Sequence, residues 1–555
     1  MSLFAPASIA VFGASGRPGS WGRQLADGAL RSGVDVQLVN HRPGAGFLLA
    51  PERPVELAVI AVPAAGFAAA VDTALAAGAT SVVGVTAGLS PAESARIASV
   101  VRAAGARLLG PNCLGVFDAV SGLSLVWGEL PPGDVTLLSQ SGNLALELGA
   151  IARRSGLGFR RFASLGDCAD LGVADLLPQH GGARAIALYL EDMRGARALI
   201  EQAASVVDEG VPVALLAAGR SAAGAVAAAT HTGALTGDHA VLAAACRDAG
   251  IRLTRTPTEL IEACRAPIRR GRVRRLGVVC DGGGHGVVAA DLASAAGIDV
   301  MPPVDLAGAG ERDKRAYADS VEALAARDDV DAVLLTGYFG GYSADEPELA
   351  DTEAQVADAL ATCRLPLYVQ SYAGFPATNP SPTVRRLTAA GVPVWPAIEH
   401  AVAALAHDDT VRLRPNGSAE PQRTAPQVIA LDGDPYWTGR VLLPEVVFAR
   451  AEEVRDVASA LAAAERIGYP VALKALGRAH KSDDGGVVLG LTDPAALAAA
   501  FGAMPQSPAY AVEELHDLGE GVEIFVGARR DPAFGPVVSV GAGGLLAEVL
   551  ADVAL

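Results

Sequence analysis

Short runs rich in β-branched residues alternate with longer Ala-rich stretches along most of the chain. The short runs read as strands and the Ala-rich stretches as helices. Strands with no polar face must be covered on both sides, so the alternation predicts an α/β fold with parallel sheets. The first unit, residues 1–128, opens with a strand at Ser8–Phe12, the turn Gly13-Ala14-Ser15-Gly16 and a helix over Trp21–Leu30. Further strands are predicted at Val34–Val39, Leu57–Val62 and Ser81–Thr86, and the unit closes near Trp127. The second unit, 129–264, has strands at Val135–Leu138, Ala185–Leu190 and Pro212–Leu216. A basic connector, Arg265–Arg275, leads to a third unit, 272–407, with strands at Leu276–Cys280, Ala332–Thr336 and Leu365–Gln370. From 408 to 429 Pro, Asn, Gly and Ser interrupt the pattern and mark a linker. The last segment, 430–555, differs in kind: a strand ending in Lys474, a glycine-bearing loop, then strands near Tyr510–Glu514 and Glu523–Val526.

A chain of 555 residues is too long for one core. Aromatics make up only 5%, so the cores are built from Ala, Val, Leu and Ile, which suits buried parallel strands. The formal charge of −17 argues against a nucleic-acid partner, although backbone amides and helix N-termini can still hold a phosphate locally. Cys113, Cys168, Cys246, Cys264, Cys280 and Cys363 show no metal or redox spacing and read as free thiols of a reducing cytoplasm. No basic leader precedes the first strand, and the apolar stretch Val55–Val85 is broken by Pro63 and Asp72. A membrane span needs ~20 uninterrupted apolar residues, so a cytoplasmic location without membrane attachment is expected.

Chemistry enters with Gly13-Ala14-Ser15-Gly16-Arg17-Pro18-Gly19-Ser20, placed directly after a strand. Such a loop lets the backbone approach a phosphate and offers the free amides of the next helix. An NAD site is the ordinary reading. Against it, Val39 is followed by Asn40, His41 and Arg42, with no acid for a ribose hydroxyl and a cation suited to an extra phosphate. With Gly110-Pro111-Asn112-Cys113-Leu114-Gly115, the loop resembles the CoA-binding domain of the succinyl-CoA synthetase superfamily. Ala61-Val62-Pro63 and Thr86-Ala87-Gly88 stand where that domain places its CoA-lining loops. The resemblance implies CoA contacts from Gly13, Ser15, Gly16, Pro18, Gly19, Ser20, Arg42, Val62, Pro63, Pro111 and Asn112.

A second constellation, Thr230-His231-Thr232-Gly233-Ala234-Leu235-Thr236-Gly237, sets a histidine among small and hydroxyl residues, where packing has no use for an imidazole. Neutral imidazole is a competent nucleophile near pH 7. The string is similar to the phosphohistidine loop of the ADP-forming acetyl-CoA synthetases, which would put the transient phosphate on His231. Glu191, at the end of Tyr189-Leu190-Glu191, then matches the carboxylate that orients the ring. Ser139-Gln140-Ser141-Gly142, with Thr232 and Gly233, matches the family's phosphate loops, as does Gly219-Arg220-Ser221. A basic residue common two positions before Gly219 is Ala217 here.

The third unit resembles the family's second flavodoxin-like domain through Asp281-Gly282-Gly283-Gly284-His285-Gly286, with Asp281 and His285 where relatives carry Asn and Pro. A shortened stretch after Asp299 adds to that departure, and the unit reads mainly as a scaffold. The last segment resembles an ATP-grasp domain: Lys474, Lys481, Gly485 and Gly486 for the polyphosphate, Glu513 and Glu514 for adenine and ribose. His480, in His480-Lys481-Ser482, is a candidate second phosphate relay. Gly541-Ala542-Gly543-Gly544 and Glu548-Val549-Leu550 match a later glycine loop, and family members continue into an acidic segment that holds magnesium. The expectation is therefore a Rossmann-like CoA domain, two flavodoxin-like domains and the N-terminal part of an ATP-grasp domain, with the magnesium ligands beyond Leu555.

The resemblance implies an acid–thiol ligase that interconverts carboxylic acid, CoA and ATP with acyl-CoA, ADP and phosphate, through acyl phosphate and phosphohistidine. A homo-oligomer, or a polypeptide completing the ATP-grasp fold, is the expected macromolecular partner. Two other readings stand beside it: a non-catalytic CoA-binding or regulatory relative, and an NAD-linked dehydrogenase.

Overall fold

The computed structural model describes residues 3–42, 46–232, 238–268, 271, 273–375, 380–407, 434–442, 446–477, 485–516, 521, 523–542 and 553–554. The chain forms two compact bodies, residues 1–413 with 528–538, and residues 414–527 with 539–554.

The first body holds three sheets. Strands β1 (Ser8–Phe12), β2 (Asp35–Val39), β3 (Leu57–Ile60), β4 (Ser81–Gly84) and β5 (Arg107–Leu109) form a parallel sheet in the order β2-β1-β3-β4-β5. Ile9, Val11, Leu57, Val59, Val82 and Val83 are fully buried, so this sheet is apolar on both faces, as the sequence pattern requires. Strands β3 and β4 stop two residues short of their predicted ends. There the chain turns to form loops, and the Thr86 hydroxyl donates to the Val62 carbonyl at 2.7 Å.

The second sheet contains β6 (Gly115–Asp118), β7 (Leu123–Val126), β8 (Pro132–Ser139), β9 (Phe159–Ser164), β10 (Ala185–Leu190), β11 (Val213–Ala217) and β12 (Arg252–Thr254), ordered β12-β11-β10-β8-β9-β6-β7. Five strands are parallel, and the β6–β7 hairpin adds antiparallel to β9. The sequence reading placed residues 115–126 with the first unit, whereas their backbone bonds go to the second sheet. Buried Asp118 on β6 accepts from Arg161 on β9 at 2.9 Å. The hairpin also meets the first unit's opening helix, because Gly28 lies directly over the Ser124 carbonyl and Trp21 lies 5.1 Å from Trp127.

The third sheet, β13 (Arg275–Cys280), β14 (Asp299–Val300), β15 (Val304–Asp305), β16 (Ala332–Gly337), β17 (Leu367–Ser371) and β18 (Val394–Trp395), is parallel in the order β14-β13-β16-β17-β18, with β15 also on β13. The second body is built on an antiparallel sheet, β19 (Ala451–Val454), β20 (Val471–Ala475), β21 (Val487–Leu491) and β22 (Tyr510–Glu514), ordered β19-β22-β20-β21. The strand expected at Glu523–Val526 is longer, β23 (Ile524–Asp531), and neighbours β24 (Gly535–Ala542). Among the described residues no helix is long and apolar enough to cross a membrane. All six cysteines are free thiols.

Candidate functional site

In the first sheet the chain leaves β1 for β2 on one side, and β3 lies on the other. Loops at the carboxyl ends of β1 and β3 therefore flank a crevice, the usual ligand position in such sheets. Gly13 adopts φ +85°, and a Cβ there would run into the Ala61 carbonyl, so this position is restricted to glycine twice over. Gly13 and Ala14 both donate to the Val39 carbonyl, at 2.9 and 3.1 Å. The Asn40 amide donates to the Ala14 carbonyl at 2.6 Å and ties the loop to β2, a role the sequence reading did not foresee. Ser20 caps the helix Trp21–Arg31 by accepting from Arg23, and Ser15 accepts from the Arg17 amide at 3.1 Å. Gly16, Pro18 and Gly19 are exposed on this loop, as are Arg42 after β2 and Pro63 after β3.

Pro111 and Asn112 follow β5, and the Asn112 amide reaches the Thr86 carbonyl at 2.9 Å. Their other neighbour is the turn after β9. Asp167 N–H donates to Pro111 O at 2.9 Å, and the Asn112 side chain donates to Asp167 Oδ1 at 3.1 Å. Gly166, at φ +56°, lies so close that a Cβ would strike Pro111 O. Burial raises the Asp167 pKa from its ordinary value, and the Asn112 bond offsets part of that.

The same turn leads into the second sheet. Gln140, after β8, donates from Nε2 to Cys168 Sγ at 3.5 Å, while its Oε1 accepts from the Glu191 amide at 2.5 Å and the Asp192 amide at 2.8 Å. Adjacent parallel strands β8 and β10 set this register, with Ser139 opposite Tyr189. Ser139 Oγ turns back to the Ser141 carbonyl at 2.7 Å, and Ser141 caps the helix Gly142–Arg154 by accepting from Leu144. Glu191 is 9% exposed, with the Tyr189 hydroxyl donating to its side chain at 3.2 Å. Burial, and then Glu191, push the Tyr189 phenol above its ordinary pKa. Ala217 ends β11, and Ser221 caps the helix Ala222–Thr232 by accepting from Gly224 at 3.1 Å.

His231 and Thr232 were read as loop residues, but their backbone forms the last turn of that helix. Its run of alanines is the physical reason, since alanine has the highest helix propensity. The side chains of His231 and Thr232, and the whole of Gly233, lie outside the described residues. The chain returns at Asp238, which caps the helix His239–Ala249 and pairs with Arg529. Arg529 belongs to the segment 528–538, whose Phe534 enters the first body's core and accepts two Arg197 bonds at 3.1 and 3.0 Å on its carbonyl. The sequence reading missed His239. Burial lowers its pKa first, and the cations Arg220 and Arg255 add to the effect.

In the second body, Lys474 on β20 donates to Glu513 Oε1 on β22 at 2.5 Å. The second oxygen of Glu513 accepts from Tyr436 and, at 3.1 Å, from Arg440, both on the helix Pro435–Leu442. Burial works to raise the Glu513 pKa, but Lys474, Tyr436 and Arg440 together bring it below the usual value. Tyr436 and Arg440 were not anticipated, because their approach to Glu513 spans more than 70 residues. Glu514 points the other way, as strand alternation dictates, and pairs with Arg450 at 3.1 Å, which pulls its pKa down to about 2. Only Glu513 of the two therefore faces Lys474. Gly486 accepts from Ala475 at 2.8 Å and returns the loop to the sheet beside exposed Gly485, whereas His480 and Lys481 lie outside the described residues. In the third sheet Asp281 accepts from the Tyr338 amide, and His285 stacks on Tyr372 at 5.6 Å. Among the described residues no group of three or more His, Cys, Asp or Glu side chains is placed to hold a metal ion.

Three family models match the chain in order. They are a CoA binding domain over residues 7–119, a succinyl-CoA ligase like flavodoxin domain over 132–266 and an ATP-grasp domain over 445–555. Acetate–CoA ligase [ADP-forming] I of Archaeoglobus fulgidus is 28% identical over 99% of this chain and 87% of its own length. The subunit alpha of acetate–CoA ligase [ADP-forming] II from Pyrococcus furiosus is 32% identical over 52% of this chain and 67% of its own length. Among solved structures, the dinucleotide forming acetyl-coenzyme A synthetase 1 of Ca. Korarchaeum cryptofilum, in complex with phosphate and ADP, superposes with a TM-score of 0.63. It is 25% identical and spans 73% of this chain and 95% of that one.

Proposed function

We propose, because the chain belongs to the family of ADP-forming acetate–CoA ligases, that it interconverts a carboxylic acid, CoA and ATP with acyl-CoA, ADP and phosphate. In the acyl-CoA-consuming direction, a phosphate oxygen attacks the thioester carbonyl. The C–S bond breaks, and CoA leaves as the thiolate. A nitrogen of His231 then takes the phosphoryl group from the acyl phosphate and releases the carboxylate. The terminal oxygen of ADP finally accepts the phosphoryl group and frees the imidazole.

The observation that carries this reading is the bridge through Gln140. It joins the Gly166–Cys168 turn, on which the Pro111–Asn112 loop rests, to the carboxyl end of β10 where Glu191 stands. A thioester held by the first loop and a phosphate held by the second are thereby served by one hydrogen-bonded frame. In this assignment the loop from Gly13 to Ser20, with Arg42, Val62, Pro63, Pro111 and Asn112, cradles CoA. Ser139 to Gly142, with Thr232 and Gly233, receives phosphate, and Glu191 holds one imidazole nitrogen so that the other is the nucleophile. Lys474, Lys481, Gly485, Gly486 and Glu513 take the nucleotide, and His480 is a candidate second relay. Phosphoryl transfer asks the protein chiefly for positioning and charge neutralisation, which such loops and a lysine supply. Magnesium is the ion the ATP-grasp class uses, but the described residues include no carboxylate cluster for it, so no step is routed through the ion. Self-association or a second polypeptide belongs to the same proposal, since the Pyrococcus furiosus relatives carry the names of separate alpha and beta subunits.

The test is phosphoenzyme formation from labelled ATP. Acid-labile, base-stable label is expected on the wild-type chain and none on His231→Ala. Replacing an essential nucleophile should lower turnover by at least ~10³, with CoA affinity within a few-fold. Undiminished label on the variant would remove His231 from the mechanism.

A further inference from the structure

The basic connector that begins at Arg265 has no part in the chemistry above, yet it opens beside a cleft of about 800 Å³ in the first body. That volume falls within the range of small-molecule sites. The cleft lies between the amino-terminal end of β8 and the helix Pro382–Ala389, at the edge of the second sheet opposite to Ser139 and Glu191. Arg153, Arg184, Arg265 and Arg385 line it, and among the described residues lining it Asp134 is the one carboxylate. Four guanidinium groups facing one acid is the reverse of the whole chain, whose formal charge is −17.

The four arginines are not equally committed. Arg184 pairs with Asp134 at 2.7 Å and donates to the Arg265 carbonyl at 3.2 Å. Arg265 is buried, pairs with Glu262 at 2.6 Å and donates to the Ser155 carbonyl. Those two fix the walls. Arg153 and Arg385 are exposed and have no carboxylate partner among the described residues; Arg385 donates to the Pro380 carbonyl. They come from opposite sides, Arg153 from the last turn of the helix Gly142–Arg154 and Arg385 from the helix Pro382–Ala389. Gly156 and Pro380, both lining the cleft, approach so closely that a Cβ on Gly156 would lie 2.5 Å from Pro380. Leu157, Val384 and Val394 supply an apolar wall.

We propose that this cleft is a separate binding site for a phosphorylated small organic anion. Two guanidinium groups on facing walls, with no carboxylate partner among the described residues, match a phosphoryl group, which offers three oxygens, better than a carboxylate, which one arginine fork already satisfies. The apolar wall suits an organic body attached to that group. Arg153 lies about 17 Å along its helix from the phosphate loop at the other end, by helical rise, so the two sites do not share a ligand.

The experiment is calorimetric titration of the full chain with 1-naphthyl phosphate, in saturating CoA and ADP so that the nucleotide and CoA sites are filled. Wild type is compared with the pair Arg153→Glu, Arg385→Glu and with the milder pair Arg153→Gln, Arg385→Gln. Loss of two charge-assisted contacts should weaken binding by ~10² in the Glu pair, with a smaller loss in the Gln pair. Acyl-CoA synthesis without the probe should be unchanged. Displacement by AMP at lower concentration than by inorganic phosphate assigns the site to nucleotides, and equal displacement assigns it to phosphorylated compounds in general. Equal affinity and stoichiometry in wild type and both paired variants, or no binding by wild type, would overturn the proposal.

Discussion

Replacing Gln140 with alanine removes the acceptor shared by the Glu191 and Asp192 amides, bonded at 2.5 and 2.8 Å, and the donor to Cys168 Sγ at 3.5 Å. The sulfur bond is weak and its loss is minor. The two amides matter more, because they follow β10 beside buried Glu191 and alanine takes this acceptor from both. A hydrogen bond contributes ~0.5–1.5 kcal/mol net, so losing the two should cost ~1–3 kcal/mol. Gln140→Glu separates this brace from direct contact with phosphate. A carboxylate still accepts from both amides, so stability should stay within ~1 kcal/mol of wild type. It also sets a negative charge beside the incoming phosphate and should slow His231 phosphorylation at least ~10-fold. The assay is a urea titration of each variant followed by quenched-flow labelling of the phosphoenzyme. If Gln140→Glu unfolds as readily as Gln140→Ala, or if Gln140→Ala is as stable as wild type, the bracing role is wrong.

Gly13→Ala forces a left-handed residue with a Cβ against the Ala61 carbonyl, costing ~1–2 kcal/mol for the backbone alone, and should weaken CoA binding ~10-fold or more. Gly16→Ala, where a Cβ meets nothing within 4 Å, should leave the fold intact, and calorimetry with CoA compares the two. Glu513→Gln strands Lys474 and Arg440 in a partly buried site and should destabilise the second body by ~2 kcal/mol; a cycle with Arg440→Met, read by urea unfolding, should show coupling. His407 has its pKa pushed down to about 4, first by burial and then by Arg252 and Arg255. The unfolded chain binds that proton near pH 6.5 and the native one does not, so stability from neutral His407 is full above 6.5 and falls as pH drops toward 4, by up to ~3 kcal/mol. Thermal melts between pH 7 and 4.5 should show the loss, and His407→Gln should flatten it.

What was legible in the sequence is what neighbouring residues decide among themselves. Ser8–Phe12, Ala185–Leu190 and Tyr510–Glu514 form strands at the predicted residues because each opens on or consists of a short apolar run set off from its helical neighbours. The loop from Gly13 to Ser20 was legible for the same reason, since glycine spacing, a strand before it and Ser20 at a helix start are all local signals. Partners chosen across the fold were not. The β6–β7 hairpin could have extended either sheet by its composition, and the Asp118–Arg161 pair that commits it joins residues 43 apart. Nothing local told Glu513 from Glu514, although strand alternation fixes that they face opposite ways once the register of β20 on β22 is known. The departure at Asp281 reads differently beside β16, where the carboxylate accepts from the Tyr338 amide and so holds two strand ends together. Gln140 is the sharpest case. Its place in a phosphate-loop motif suggested a ligand contact, yet its side chain is spent on two protein amides 51 and 52 residues away. A motif names the residues that must stand near a ligand without dividing them into those that touch it and those that hold the others in place. That division follows from which side chains the fold already holds, and here Gln140, bonded to the Glu191 and Asp192 amides and to Cys168, belongs to the frame.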